Sequence, residues 1–318
     1  EMLEELIDRF GEPPKSVQNL LTIARLKYAA HGLYIKEITQ KSNELKILMY
    51  EKAKINPAGN GKSYIVSSLT QTPMKSVYSA MGEQAASEDA PYYQFYKLMK
   101  ESNAFVKDDT YAMSDDWTVD VFNTYHYTIY VPSNDSVLAA IKHGLPTIEQ
   151  ANEFVKENNL TSAKKEEYLD SIRAILHDFV CYHIHDNSVY IGGTEVKDAE
   201  YQTGTMNMDE RVFRRVRVNA DYSSLTVVDG AGRSHSVKVI PENEGIYYNL
   251  MTRDYLFNDG DTAGKVDEKD SNISNSKCIE TSSFAVIHAI DDVLLYDNAQ
   301  LEAYKIRVAQ LQEKFKKK

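Results

Sequence analysis

A glycine-asparagine joint, Ala58-Gly59-Asn60-Gly61, separates two stretches of unlike character. Before it, apolar residues recur at helical spacing and the local charge is nearly neutral. After it, aromatic residues and turn signals become frequent, and most of the acidic excess accumulates there. The joint is the expected domain boundary. A chain of 318 residues has room for about two domains of ordinary size.

Residues 1 to 57 read as two helices followed by two strands. Leu3, Leu6, Ile7 and Phe10 share a helical face, and Gly11-Glu12-Pro13-Pro14 ends that helix. Val17, Leu20, Leu21, Ala24 and Tyr28 carry the next one, closed by Gly32. Residues 33–39 and 45–50 have strand composition and flank the turn Lys41-Ser42-Asn43-Glu44.

Beyond the joint, Tyr92 to Ser102 is an expected helix. Tyr125 to Val131 is an expected strand that runs into Pro132-Ser133-Asn134-Asp135, where Ser133 or Asn134 can cap a helix reaching Ile141. Another helix is expected over Ile172 to Phe179. Strands are expected at residues 179–185, 212–219, 224–228, 236–240 and 284–296. Asn258 to Lys277 is polar and turn-rich, which reads as a loop. Leu301, Tyr304, Val308, Leu311 and Phe315 alternate by three and four on a final amphipathic helix. Packing against the core is its simpler use, and a short coiled coil or a membrane-surface contact is the alternative.

Composition narrows the function. Net charge is -11, with 36 basic against 47 acidic residues, which argues against a general duplex-binding surface. No run approaches the roughly 18 apolar residues of a spanning helix. Two cysteines, Cys181 and Cys278, can form at most one bridge, so the chain is no disulfide scaffold. Tyrosine is abundant, 22 against 10 Phe and 1 Trp, and such rings suit recognition surfaces as well as cores. The opening Glu1-Met2-Leu3-Glu4-Glu5 is not an export signal.

Several residues suggest chemistry. Gly59-Asn60-Gly61-Lys62-Ser63 resembles part of a phosphate loop, but Asn56 stands where that loop needs glycine, so a flexible joint is the simpler reading. His177, Cys181, His183 and His185 form the densest metal-like cluster; on a strand, His183 and His185 would share a face. Yet no third acidic or imidazole group clearly completes a tetrahedron, and a hydrogen-bonded histidine at the edge of the core is the plainer account. His288 falls on one face with Phe284, Val286 and Ile290, the setting of a neutral core histidine. No nucleophile elbow surrounds Ser282 or Ser283. An enzyme is therefore not expected, nor a metal or cofactor.

Three segments carry a family resemblance. Residues 127–137 (Tyr127-Thr128-Ile129-Tyr130-Val131-Pro132-Ser133-Asn134-Asp135-Ser136-Val137), the pair Tyr182-His183, and residues 286–295 from Val286 through His288 to Leu295 stand in the order of the fasciclin signatures. Residues 70–297 thus resemble the fasciclin domain, particularly its bacterial members of Bacteroides type. One departure is Phe284-Ala285, where the family usually has Asn-Gly. The resemblance implies an α+β fold: a β-sandwich wedge with packed helices, preceded by the small αα-ββ segment (1–57) and a linker (58–69), and followed by the C-terminal helix (298–318). It also implies a non-enzymatic adhesion role at the cell surface or in the periplasm, toward protein or glycan. Tyr182 and His183 match a pair implicated in receptor binding by some relatives, although a Tyr and a His among apolar neighbours more simply stabilise the fold.

Residues 1 to 57 resemble something unrelated. Glu5-Leu6-Ile7-Asp8-Arg9-Phe10-Gly11-Glu12-Pro13-Pro14, Leu20 to Leu26, and Ile55-Asn56-Pro57 are similar to the C-terminal domain of the bacterial transcription-repair coupling factor. That implies contact with repair proteins and a cytoplasmic setting, without the helicase motifs that would bring translocation. The juxtaposition reads as a fusion of unrelated segments.

Overall fold

The computed structural model describes residues 56–58, 61–63, 73, 75–106, 117–122, 126–237, 247–258 and 278–316. The chain divides into two units, Glu1–Pro73 and Met74–Lys318. In the first, β1 (Asn56–Ala58) and β2 (Gly61–Ser63) pair antiparallel, Pro57 opposite Lys62, so the phosphate-loop-like residues 61–63 lie in a strand. The helices and strands expected before residue 55 lie outside the described residues.

The second unit is mixed α+β. Its helices are α1 (Val77–Gln84), α2 (Tyr93–Glu101), α3 (Asn134–His143), α4 (Ile148–Glu157), α5 (Ser162–Tyr182) and α6 (Gln300–Lys316). Its strands are β3 (Phe105–Val106), β4 (Thr118–Val119), β5 (His126–Pro132), β6 (Ile184–Asp186), β7 (Val196–Asn207), β8 (Val212–Ala220), β9 (Leu225–Val228), β10 (Ser234–Ser236), β11 (Leu250–Asn258) and β12 (Cys278–Ile290). The last eight of these order as β10-β9-β8-β7-β6-β5-β12-β11, and β3 pairs with β4 apart from them. Every neighbour is antiparallel except β5 and β12, which run parallel with Ile129 opposite Ile287.

β5 and the second half of β12, residues 284–290, are largely apolar because both of their faces are covered. Tyr127, Ile129, Val131, Ala285, Ile287 and Ala289 face the larger core, built with the helices. Tyr130 and Ile290 face a second cluster with Val216 and Val218 of β8 and Leu225 and Val227 of β9. Side chains so far apart in the strand order can meet only if the sheet curls. Val237, just past β10, makes an isolated bridge to Ile290 of β12. The expected sandwich is here one continuous, curled sheet enclosing that second cluster.

Local signals fix the helix ends. Ser76 caps α1 by accepting the Ser79 N–H at 3.0 Å, and buried Asp254 of β11 accepts the Val77 N–H at 2.9 Å. Thr147 and Gln150 form a capping box at α4. Ser133 stands at the N-cap of α3. The final helix is a packing helix in this structure: Tyr304 and Phe315 are buried, and Leu301, Val308 and Leu311 lie against the larger core.

Three expectations are corrected. Residues 179–182 are not strand but the last turn of α5, because Ile172, Ile175, Leu176, Phe179 and Val180 continue one buried helical face. The strand expected to reach residue 296 ends at Ile290, where the chain turns at Asp291-Asp292; it starts at Cys278 and passes straight through Phe284-Ala285. The strand expected at 236–240 is β10, ending at Ser236, with 238–240 outside the described residues. The loop expected at 258–277 also lies almost wholly outside them. Helices α1 and α4 and strands β7 and β11 were not among the expectations.

Tyrosine serves the interior more than the sequence suggests. Tyr127, Tyr130, Tyr168, Tyr182 and Tyr247 are among the largest fully buried side chains. Four of their hydroxyls have named acceptors: Asp254 for Tyr127, His185 for Tyr130, the Arg215 carbonyl for Tyr182 and the Met81 carbonyl for Tyr247. Among the described residues no helix is long and apolar enough to cross a membrane.

Candidate functional site

The pair Tyr182-His183 sits where α5 hands over to the sheet. Tyr182 is the last helical residue and His183 the C-cap, whose N–H returns to the Val180 carbonyl at 2.9 Å. The chain then enters β6, and the His183 carbonyl accepts the Tyr130 N–H of β5 at 2.9 Å. His183 is therefore not on a strand, and it shares no strand face with His185.

Both side chains point inward. Tyr182 is 1% and His183 0% exposed. The Tyr182 hydroxyl donates to the Arg215 carbonyl at 3.1 Å and accepts the Gly230 N–H at 2.7 Å. Its ring meets Tyr296 edge-on with centroids 5.5 Å apart. His183 Nδ1 donates to the Phe179 carbonyl and its Nε2 accepts the Leu294 N–H, each at 2.9 Å. That pattern specifies one neutral tautomer, and burial among Phe95 and Phe179 pushes the imidazole down to about 3.

Around this pair the turn after β9 clasps the segment after β12. Asp229 Oδ2 accepts from Arg233 Nε at 3.0 Å, Arg233 Nη2 at 2.9 Å, His235 Nε2 at 3.1 Å and the Leu295 N–H at 3.0 Å. These donors hold the Asp229 carboxyl below its ordinary value against the opposing effect of burial. Arg233 also reaches Asp292 and the Val293 carbonyl. Gly230 is required here: a Cβ would stand 2.5 Å from the Tyr296 carbonyl oxygen. A buried carboxylate with this many donors is a structural anchor.

The other histidines divide. His185 of β6 donates Nδ1–H to the Asp186 carbonyl and accepts the Tyr130 hydroxyl on Nε2, and it stacks on Tyr201 with centroids 4.7 Å apart. His288 of β12 donates Nε2–H to the Val189 carbonyl at 2.9 Å and accepts the Asn249 N–H at 3.3 Å. Burial pushes each of these two down to about 4. His183, His185 and His288 thus commit both ring nitrogens to protein partners and keep no lone pair for a metal. His177 and Cys181, i and i+4 on α5, face elsewhere and meet Asp120, the residue after β4. Sequence reasoning missed Asp120, because nothing local marks it. It also missed Asp229, although the Asp-Gly turn between two strands was a usable signal.

These features define a mixed α+β protein with a curled sheet and a histidine-pinned junction. The family model of the TRCF domain matches residues 1–60. No curated protein matches the chain.

Proposed function

We propose that this chain acts by contact rather than by turnover, through two unlike parts. Residues 1–60 serve as a protein-interaction segment of the coupling-factor type, and the TRCF-domain match carries that reading. In the family this domain touches and restrains the repair machinery, so the partner of this reading is a cytoplasmic repair protein. A pull-down of the full chain with the excision-repair recognition protein tests it. Retention that is lost when residues 1–60 are deleted supports the reading, and no retention removes it.

Residues 70–297 serve as a non-enzymatic binding module of the fasciclin type, with a protein or glycan at the cell surface as partner and no nucleic acid. The supporting observation is spatial. The three segments that carry the resemblance, β5, the Tyr182-His183 junction and β12, are hydrogen-bonded neighbours. Within this reading Tyr182 and His183 hold the module's shape, since neither reaches solvent. Glycan and matrix-protein arrays probed with the full chain test it. Saturable binding that survives the deletion of residues 1–60 is the expected result, and an array without any such ligand overturns it.

A further inference from the structure

Three donor atoms converge beside α5, outside the clasp described above. Asp120 Oδ2 lies 2.7 Å from His177 Nε2. Cys181 Sγ lies 3.5 Å from the same nitrogen and 3.6 Å from Nδ1. One ligand atom from each residue falls within 4.8 Å of the others. Gly204 of β7 closes the floor, where an added Cβ would stand 3.1 Å from Cys181 Cβ. The His177 and Asp120 side chains remain 31% and 26% exposed, so the opposite side is open.

One feature of this cluster is unresolved by hydrogen bonding alone. Asp120 Oδ1 is sealed from solvent and has no hydrogen-bond partner among the described residues. Asp178 adds negative potential without joining, because its Oδ2 already accepts the Tyr296 and Tyr304 hydroxyls at 3.2 and 2.6 Å. The cluster therefore keeps one buried acceptor oxygen that a cation would satisfy.

A Cys-His-Asp nucleophile is the first chemistry such a trio suggests. It does not fit. Cys181 is 0% exposed, which leaves no approach for a substrate carbonyl, and burial raises the thiol well above its ordinary value. A cation fits better. Tetrahedral zinc, with bonds of about 2.3 Å to sulfur and 2.0–2.1 Å to nitrogen or oxygen, needs S···N of about 3.5 Å and N···O of about 3.3 Å. The first separation has the right length, but Sγ lies almost equally far from both ring nitrogens and so over the ring face, which makes a turn of the imidazole necessary. The second asks Asp120 to retreat by about 0.6 Å while the imidazole turns its Nε2 toward the gap.

We propose that Asp120, His177 and Cys181 form a three-ligand site for a divalent transition metal of the zinc class, with the fourth position open toward solvent. The metal binds the thiolate, so the Cys181 proton leaves to solvent. The Nε2 proton now shared with Asp120 either leaves too or moves to Nδ1. Binding therefore tightens as pH rises. The site is independent of the contact readings above.

Titration of the reduced full chain with Co²⁺, followed by absorption, tests the site. The expected result is one equivalent bound, with a thiolate-to-cobalt charge-transfer band and strong visible bands that Zn²⁺ abolishes by displacement. Cys181→Ser removes the charge-transfer band, whereas Cys278→Ser keeps it. Asp120→Asn, which preserves shape, weakens Co²⁺ binding at least tenfold and gives the answer even if Cys181→Ser fails to fold. No thiolate band in the parent chain, a band lost only in Cys278→Ser, or unchanged affinity in Asp120→Asn overturns the proposal.

Discussion

His183 Nε2 accepts the backbone N–H of Leu294 at 2.9 Å across 111 residues of sequence, and this bond ties the helix-strand junction to the segment that follows β12. Replacing His183 with Phe keeps a ring against Phe95 and Phe179 but strands the Leu294 N–H and frees the Phe179 carbonyl. Each unsatisfied buried group costs about 1–3 kcal/mol. The expected loss is about 2–4 kcal/mol in urea unfolding, with the slope unchanged. A variant as stable as the parent would show that the bond is not needed.

The three buried imidazoles also set an acid limit. His183, His185 and His288 are neutral in the folded state, held at about 3, 4 and 4. In the unfolded chain they take protons near pH 6.5. Their folded values are depressed, so the unfolded state binds more protons below about pH 6.5 and stability falls with pH there. Each contributes a loss of about 1.4 kcal/mol per pH unit, or about 4 kcal/mol per unit together. For a stability of about 10 kcal/mol, unfolding falls at about pH 4. His177, raised by its bond to Asp120, works in the opposite sense and is partly exposed. Urea midpoints at pH 7, 6 and 5 check this, and a flat series contradicts it.

Much of the centre is legible in the sequence for a physical reason. Residues 127–131 and 286–290 are nearly unbroken apolar runs because both faces of β5 and β12 are covered. The stripe from Leu301 to Phe315 is legible because one face alone is buried. Residues 179–182 mislead, since Val180 and Tyr182 fit a strand's period of two as well as a helix face. That error splits His177 from Cys181 across a supposed boundary and hides their i, i+4 relation. β7 is illegible because its residues are mostly exposed or half-exposed and it is held by pairing with β8. Asp120 stands 57 residues from His177, and only the fold brings the two together.

Two glycines with positive φ should respond differently to alanine. At Gly144 (φ 132) a Cβ would stand 2.3 Å from the Leu301 carbonyl oxygen, where α3 ends against the start of α6. At Gly232 (φ 82) a Cβ would meet nothing within 4 Å. Gly232→Ala is expected to cost about 1 kcal/mol, the conformational penalty alone. Gly144→Ala adds a backbone clash and should cost about 3 kcal/mol or more, with faster proteolysis of α6. Thermal melts of both variants check the contrast, and equal losses would contradict it.

Neighbouring positions on α6 separate packing from surface charge. Phe315 is 5% exposed and meets the Tyr168 ring edge-on with centroids 5.4 Å apart. Lys314 makes an exposed ion pair with Glu167 at 2.8 Å. Removing a buried aromatic leaves a cavity beneath the helix, so Phe315→Ala should cost about 3–5 kcal/mol, reduced toward 2 by fraying near the helix end. Lys314→Ala should cost under about 0.5 kcal/mol, because exposed pairs gain little over solvent. If the stripe served a coiled coil instead, Phe315→Ala would dissociate an oligomer and leave the protomer's unfolding midpoint unchanged. Sedimentation and urea unfolding of the same samples distinguish the two outcomes: a concentration-independent mass together with a lowered midpoint is the result this packing requires.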